Sequence, residues 1–380
     1  WLFMKKELRI GLCGFGAMGK THAFAVSALP YYYSPLPFKA TVHGLCTAHP
    51  ERTRTFCDTY GIPVAAEHED ELIADPSVDI IDICTPNPFH YETALRAMHA
   101  GKHVLCEKPL CATAAQAQEL AAVAKERGLI CGTVFNNRFL APVLRAQQLV
   151  CEGTLGRLLS FRFDYLHNSC LDPTRKVGWK QTAAAAGGTL MDLGPHILDL
   201  CTCLCGSISS LFAVGQIGIP THENPDGTVF HTDADESVYM TLTMQNGATG
   251  MLCASKLCIG ENDGLTFALY GTEGALKFDL MEPSWLYFYN KNALHAPIGG
   301  NAGFTRIECV GRYPAPGGIF PSPKAPDGWL RGHIGSMYAY LSAVACGTPF
   351  TPSFADGAYV QKLIDAAATS MREGRTVSLA

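Results

Sequence analysis

The sequence predicts an α/β fold: an N-terminal domain on a parallel sheet, then an α+β domain with an open, mostly antiparallel sheet. Three observations carry this. Strand-like and helix-like segments alternate through the first third of the chain, a glycine-rich turn joins the first strand to the first helix, and beyond about residue 140 the pattern changes to period-two alternation with hairpin turns. At 380 residues the chain is too long for one ordinary core. Two domains are therefore expected, 4–137 and 138–380, with the C-terminal helices able to pack back on the first. We take Met4 as the native start and Trp1, Leu2 and Phe3 as additional to it.

In order along the chain, "ELRIGLC" (7–13) is a strand, "GKTHAFAVSAL" (19–29) a helix and "FKATVHGLCT" (38–47) a second strand. "PERTRTFCDTYG" (50–61) is a helix closed by Gly61, and "VDIIDICT" (78–85) is the nearly all-apolar strand that a doubly covered parallel sheet requires. A helix over 91–101, a strand over 103–109, a helix over 114–128 and a strand over 129–137 follow. Repeated β-α units of this length imply a parallel sheet with right-handed crossovers. The aromatic, proline-rich stretch "PYYYSPLPF" (30–38) delays the second strand. It is a candidate lid or partner surface, and packing on its own domain is the favoured reading. In the second domain, "RLLSFRFDYL", "ESVYMTLTMQNGATGMLCASKL", "GLTFALYGTEGALKFD" and "WLYFYNK" alternate with period two, and "NG" and "TEG" supply hairpin turns. One helix near 189–204 interrupts them, and helices near 333–346 and 356–373 follow. An open sheet of this kind has a bare face, which a second copy packing sheet on sheet would cover.

The bulk numbers exclude several classes. Hydrophobic residues make up 48% and charged residues 17%, a well-packed globular composition. Acidic residues exceed basic ones, 34 against 29, with no basic stripe, so nucleic acid is not an expected partner. No apolar run reaches spanning length, and the start lacks a signal peptide's apolar core, so a soluble, cytoplasmic protein without a membrane partner is expected. The 16 cysteines lie scattered in apolar runs without a C-x-x-C pair, and Cys201, Cys203 and Cys205 at i, i+2, i+4 of a helix cannot all face one ion. Reduced, buried thiols are expected, and no metal site.

"GFGAMG" (14–19) fits G-x-G-x-x-G between a strand and a helix. Gly14 would make the turn, Gly16 would let the backbone approach a pyrophosphate and Gly19 would allow close helix–strand packing. The diphosphate would lie at the helix N-terminus, with Phe15, Ala17 and Met18 in the same loop. This is a Rossmann dinucleotide-binding pattern; a glycine-rich turn without ligand is the alternative. The acid that grips the adenosine ribose in NAD enzymes belongs at the end of the second strand. Thr47 stands there instead. A 2′-phosphate would not be repelled, and His49, Arg52 or Arg54 could meet it, unless they are ordinary solvated residues of a helix start. NAD is the expected cofactor, with NADP held open. "CTPNPFH" (84–90) would border the cofactor through Thr85, Pro86, Asn87 and His90.

"CEKPL" (106–110) places Lys108 after an apolar strand and before a proline, which would hold it extended with its amine toward the cleft. On its own a lysine at a strand end is commonplace. Its partners are in "GGTLMDLGPHILDL" (187–200): on one continuous helix Asp192, His196 and Asp199 share a face at i, i+4 and i+7. Gly194 would let a ligand or backbone come close, and Pro195 would kink the helix rather than end it. The helix's positive end would favour a neutral, base-competent His196, while Asp192 would pull the other way and orient the ring or bind a hydroxyl.

The marks "GFGAMG", "TPNPFH", "AGKHVLCEKPL", "NNRF", "GW" followed by "GGTLMDLGPHILDL", and "YGTEGALKFD" together resemble the glucose–fructose oxidoreductase, inositol dehydrogenase and rhizopine-catabolism (Gfo/Idh/MocA) family over nearly the whole chain. The resemblance implies a Rossmann domain, a second domain with an open sheet, and a homodimer or homotetramer. It implies that Lys108, Asp192 and His196 match the family's catalytic lysine, aspartate and histidine. It also puts Glu107, Lys108 and Asn136 with the cofactor-binding residues. The acid usual after the second strand is missing here. The expected activity is an NAD(P)-dependent oxidoreductase that moves hydride between the nicotinamide and a hydroxyl or ketone of a sugar, sugar derivative, inositol or glycoside. His196 would act as general base, Lys108 would stabilise the developing alkoxide and Asp192 would position substrate or histidine. Further substrate-binding candidates are Trp179 to stack on a sugar face, Lys180 beside it, Arg138 and Tyr165 to bind hydroxyls, and His333 from the C-terminal segment. Core packing or surface exposure serves each of these equally well. Two rivals stand beside this reading: an NAD-dependent glycosidase that oxidises its sugar transiently, and a non-catalytic cofactor-binding sugar sensor.

Overall fold

The structure, a computed structural model, describes residues 6–171, 178–224, 226–326 and 328–379. It divides into two compact units. The first comprises Trp1–Phe139, Pro314–Ala325 and Leu330–Gln361; the second comprises Leu140–Tyr313, Pro326–Trp329 and Lys362–Ala380. The chain beyond residue 313 is thus shared between the units and does not belong wholly to the second.

The first unit is built from β1 (Lys6–Cys13), α1 (Ala17–Tyr32), β2 (Phe38–Cys46), α2 (Pro50–Tyr60), β3 (Val64–Ala66), α3 (Glu69–Ala74), β4 (Ile80–Ile83), α4 (His90–His99), β5 (His103–Cys106), α5 (Ala114–Glu126) and β6 (Cys131–Thr133). All strand pairs are parallel, in the order β3-β2-β1-β4-β5-β6. The order reverses between β1 and β4, the switch point at which such sheets bind ligands beyond their carboxyl ends. β4 is buried at every position, which is why its sequence is almost purely apolar. The short β3 and α3 had no period long enough to announce them. β6 stops at Thr133, and a 3₁₀ turn over Asn136–Phe139 replaces the end of the strand expected over 129–137. α1 runs through Pro30 to Tyr32, three residues past its expected end, because the Tyr33 N–H still bonds the Leu29 carbonyl. The aromatic stretch packs within its own unit. Tyr33 stacks on Tyr338 at 3.6 Å, and the Arg331 guanidinium lies 4.6 Å from the Tyr32 ring centre.

The second unit contains α6 (Ala141–Cys151), β7 (Leu158–Leu166), α7 (Thr189–Asp192), α8 (Gly194–Cys205), β8 (Ile208–Gln216), β9 (Thr221–Glu223), β10 (Val229–His231), β11 (Ser237–Met244), β12 (Thr249–Ser255), β13 (Gly264–Gly271), β14 (Gly274–Asp279), β15 (Trp285–Asn290), β16 (Phe304–Glu308) and β17 (Val377–Ser378). β9 and β10 form a separate hairpin, and the other strands make one sheet ordered β16-β15-β14-β13-β7-β12-β11-β8-β17. Every pair in that sheet is antiparallel except β7 with β12. One face carries Phe163, Tyr165, Leu242, Leu252 and Phe267, all buried. The opposite face exposes Val214, Tyr239 and Met251 at 48–52%, the in–out alternation of a one-sided sheet. Ile197, Leu198, Leu200 and Cys201 are each 0% exposed, so α8 is buried all round. No helix among the described residues is long and apolar enough to cross a membrane.

Candidate active site

The expected site residues fall into two groups, one on each unit. On the first, the loop between β1 and α1 has the form of a phosphate cradle. Gly14 has φ +94°, and a Cβ there would sit 2.6 Å from the Cys84 carbonyl oxygen; a Cβ on Gly19 would overlap the Gly14 carbonyl. These two glycines cannot be replaced without moving backbone. In front of Gly16, by contrast, a Cβ would meet nothing within 4 Å. α1 starts with no side-chain cap and no acidic residue in its first turn, so its first N–H groups keep their capacity for an anion. The Thr85 hydroxyl, at the end of β4, is buried without a hydrogen-bond partner. An open space before Gly16, an uncapped helix start and an orphaned hydroxyl at the switch point all fit a dinucleotide.

Other members of the expected cofactor set do different work. Phe15 is 6% exposed and packs on Phe56 and Tyr60 of α2, with ring centres 5.0 and 5.2 Å away, so it is a core residue. His90 is fully buried, its ring nitrogens 2.8 Å from the Thr85 carbonyl and 2.9 Å from that of Pro109. Burial lowers its pKa, and the neutral ring donates to one of the two carbonyls. His90 therefore clamps the loop after β4 to the loop after β5 and does not face a cofactor. Thr47 donates its hydroxyl to the His49 carbonyl and shares a hydrogen bond with Thr53 at 2.8 Å, finishing the start of α2. Arg54 is paired with Glu67. Asn136 is buried and donates to Asn137. Ala17 is exposed, Met18 half-buried, Pro86 exposed and Asn87 buried.

Lys108 is half-buried, and its backbone N–H donates to Glu107 Oε2 at 3.1 Å. Behind it lies a charged cluster that the sequence reading did not assemble. His22 of α1 is 2% exposed, with Nδ1 2.9 Å from Asp82 Oδ2 and Nε2 3.3 Å from Glu107 Oε1. Burial opposes a charge on this ring, but the Asp82 carboxylate and Cys84 outweigh it and raise the pKa well above the usual value. Burial likewise works against ionised Glu107, yet the hydrogen bond and charge of His22 bring it down to about 2. His22, Asp82 and Cys84 place their donor atoms within 4.8 Å of one another. The 2.9 Å and 3.3 Å spacings of Asp82 and Cys84 from the ring are those of hydrogen bonds. His333 is 3% exposed, its ring centre 6.1 Å from that of His22; burial, then repulsion by His22, lowers its pKa to about 3. It is an interior group and not a reach-in contact for substrate. Arg138 is 8% exposed and lies 3.4 Å from Asp356, an ion pair that occupies the guanidinium expected to bind hydroxyls.

On the second unit the continuous helix expected over 189–204 is divided. α7 is a single turn ending at Asp192, Leu193 joins, and α8 begins at Gly194. Pro195 has no N–H for the Met191 carbonyl, so it opens a new helix instead of kinking one. A Cβ on Gly194 would touch Leu190 at 3.3 Å, so that glycine serves the helix's own preceding turn. Asp192 thus ends one helical turn while His196, 9% exposed, sits in the first turn of the next. The His196 ring lies edge-on to Tyr165 with centres 5.6 Å apart. Tyr165 is 5% exposed and already donates its hydroxyl to Asp263 Oδ1 at 2.7 Å, a bond also within reach of His167 at 3.1 Å. Burial, reinforced by Asp263, pushes the Tyr165 hydroxyl pKa well up. Its expected hydroxyl-binding role therefore gives way to supporting the His196 ring. Trp179 is 37% exposed with the Lys180 amine 5.7 Å from its ring centre. Lys180 Nζ binds both Asp192 oxygens, at 3.0 and 3.1 Å. A second lysine, Lys256, lies 2.8 Å from Asp192 Oδ2; nothing in the run "CASKL" had singled it out.

Comparison with known proteins agrees with this geometry. Residues 8–135 match the model for the oxidoreductase family with an NAD-binding Rossmann fold, Gfo/Idh/MocA, and residues 143–277 match a Gfo/Idh/MocA C-terminal domain. The levoglucosan dehydrogenase of Pseudarthrobacter phenanthrenivorans is 31% identical over 378 residues, covering 95% of each chain. The glucose-6-phosphate 3-dehydrogenase of Bacillus subtilis is 25% identical, covering 94% of each. A solved levoglucosan dehydrogenase in complex with NADH and L-sorbose superposes with a TM-score of 0.93 at 30% identity, over 99% of each chain. Fold, glycine loop and relatives converge: the chain belongs to the Gfo/Idh/MocA family of NAD-binding oxidoreductases.

Proposed function

We propose that the protein is an NAD-dependent dehydrogenase that oxidises a hydroxyl of a sugar or sugar derivative, with levoglucosan the first compound to try. The observation that carries this is the break between α7 and α8, which ends one helical turn at Asp192, beside Lys180, and sets His196 at the positive start of the next helix. In the first turn of α8, His196 takes the hydroxyl proton as general base. Lys108, on the first unit, is assigned the role of stabilising the alkoxide charge that develops. Asp192 and Trp179 orient the sugar, one by its carboxylate and one by its ring face. NAD, when bound, would supply the hydride acceptor; Gly14, Gly16, Gly19 and the first N–H groups of α1 would hold its diphosphate, with the Thr85 hydroxyl available as a further partner.

The test is reduction of NAD and of NADP across a panel of anhydrosugars, hexoses, inositols and glycosides, with Lys108→Ala and His196→Gln as controls. Expected are turnover with NAD and a loss of kcat of about 100-fold or more in each variant. Aglycone release from a glycoside with NAD used only catalytically would favour the glycosidase instead, and tight NADH binding with no turnover of any kind the sensor.

Two finer points belong to the same proposal. The bare sheet face, where Val214 lies directly across from Tyr239 and Met251 across from Thr241, is covered by a second copy in a homodimer or homotetramer. Light scattering tests this, and Tyr239→Glu should shift the mass toward the monomer. Its sixteen thiols, free and mostly buried, suit a reducing compartment, and we place the protein in the cytoplasm.

A further inference from the structure

Among the described residues, Lys256 is a buried cation in direct contact with Asp192 that no motif announced. It is 5% exposed, immediately follows β12, and both its backbone groups are tied: its N–H bonds the Glu236 carbonyl at 2.8 Å and its carbonyl accepts the Cys170 N–H at 3.1 Å. Its amine reaches Asp192 Oδ2 at 2.8 Å, shorter than either contact from Lys180, whose side chain is 38% exposed. Among the described residues, this carboxylate therefore meets two ammonium groups of different kinds. The inner one has given up its water and cannot leave without stranding a buried charge. The outer one is 38% exposed and keeps access to water, so it can exchange partners at lower cost.

A second acid, Asp235, holds the backbone that carries Asp192. Asp235 is half-buried; its Oδ2 accepts the Leu190 N–H at 2.7 Å and its carbonyl the Thr189 N–H at 2.8 Å, so it fastens the first turn of α7. Burial raises the Asp235 pKa, and the Lys256 charge acts in the opposite sense. Gly188, at φ +101°, leaves Asp235 the space to do this, since a Cβ there would lie 2.5 Å from Oδ1.

We infer that Lys256 is a positioning residue for the reaction: from the interior it holds the Asp192 carboxylate fixed at the end of α7. Lys180, on the exposed side, is then the lysine that trades Asp192 for substrate hydroxyls. This rests on the dehydrogenase reading above, in which Asp192 orients the sugar.

The test is a double-mutant cycle of Lys256→Met and Asp192→Asn, read both as kcat and KM with the sugar that the wild type oxidises and as melting temperature without substrate. Lys256→Met should lower kcat about 100-fold, the cost of a small misplacement of a reacting group, with KM within about threefold; Lys180→Ala should act mainly on KM. In the Asp192→Asn background Lys256→Met should lower kcat no further, because Lys256 works through that carboxylate. An equal kcat loss in both backgrounds, or an unchanged kcat in Lys256→Met, overturns the inference. If Lys256→Met does not fold, Lys256→Arg decides: kcat within about tenfold of wild type supports a charge that positions, and a loss as deep as that of Asp192→Asn refutes it. Failure of the dehydrogenase reading would look different, with no sugar oxidised or with Asp192→Asn fully active. The inferred role in the reaction would then fall with it, and the melting cycle would still report whether Lys256 and Asp192 act as one unit.

Discussion

His22 shows what a single side chain costs and fixes in this fold. A charged imidazole in the interior is unfavourable on its own, and it persists because Asp82 and Glu107 flank it at 2.9 and 3.3 Å. Removing the ring leaves two buried carboxylates facing one another. His22→Leu should therefore cost about 3–5 kcal/mol, measured by urea unfolding at pH 7; a loss below about 1 kcal/mol would mean that water or a rearranged neighbour satisfies Asp82 and Glu107. Part of this cluster was open to a reader of the sequence, since Asp82 interrupts the apolar run "DIIDIC", and a charge inside a central strand needs a partner. Lys108, Asp192 and His196 were legible because their chemistry is concentrated in short local motifs. Lys256 and Asp235 were not, because their role comes from segments separated from Asp192 by more than forty residues, and nothing local distinguishes such a lysine from a solvated one. Phe15, His90, Arg138 and His333 lie in or near motifs, yet their side chains turn to core and clamp duties. Only packing decides which way a side chain in a motif points.

Among the elements, the divided helix decides most about the site, and its two breakers can be separated by experiment. Pro195→Ala restores an N–H that can bond the Met191 carbonyl, allowing α7 and α8 to merge into one helix. On a continuous helix Asp192 and His196 would sit on one face at i, i+4, a relation the break now alters. We expect Pro195→Ala to leave stability within about 1 kcal/mol of the wild type while kcat falls at least tenfold; an unchanged kcat would show that the break does not matter to the chemistry. Gly188→Ala should lose both. Its φ of +101° is strained for any other residue, and the new Cβ would push Asp235 off the Leu190 N–H, so a loss of about 2–4 kcal/mol is expected in thermal or urea unfolding. The sequence reading anticipated a helix here and a disruption at Pro195. It could not tell a kink from a restart, because that turns on whether Leu193 closes one helix or continues it. Elsewhere the longer periodic segments emerged where expected, while β3, α3 and the shortened β6 are too brief for any period to register.

At the scale of the whole molecule, the buried histidines set how stability answers to pH. His333 stays neutral in the folded protein down to about pH 3, whereas in the unfolded chain it takes up a proton below about pH 6.5. Between those limits the unfolded state binds one more proton than the folded state, so each pH unit of acidification costs about 1.4 kcal/mol from this group alone. His90 and His103, both lowered by burial, work in the same direction. Glu107 joins below about pH 4.5: it stays ionised in the fold to about 2, so protonation of the unfolded chain steepens the loss there. His22 has the opposite sign. Its raised pKa contributes stability that is fully present below about pH 6.5 and drains away only as pH rises through the folded value. Stability should therefore peak near neutrality and fall on the acid side with histidine slope first and carboxylate slope second. His333→Gln, which cannot titrate, isolates the largest acid-side contributor. Urea unfolding at pH 7, 6 and 5 should show the stability of this variant falling less steeply than that of the wild type, by about 1 kcal/mol per pH unit or somewhat more. Equal slopes would mean that His333 becomes protonated in the folded state, as it would if Glu107 turned from His22 toward it. The charge pairing behind Lys108 would then have to be redrawn, with the proton on His333 instead of His22.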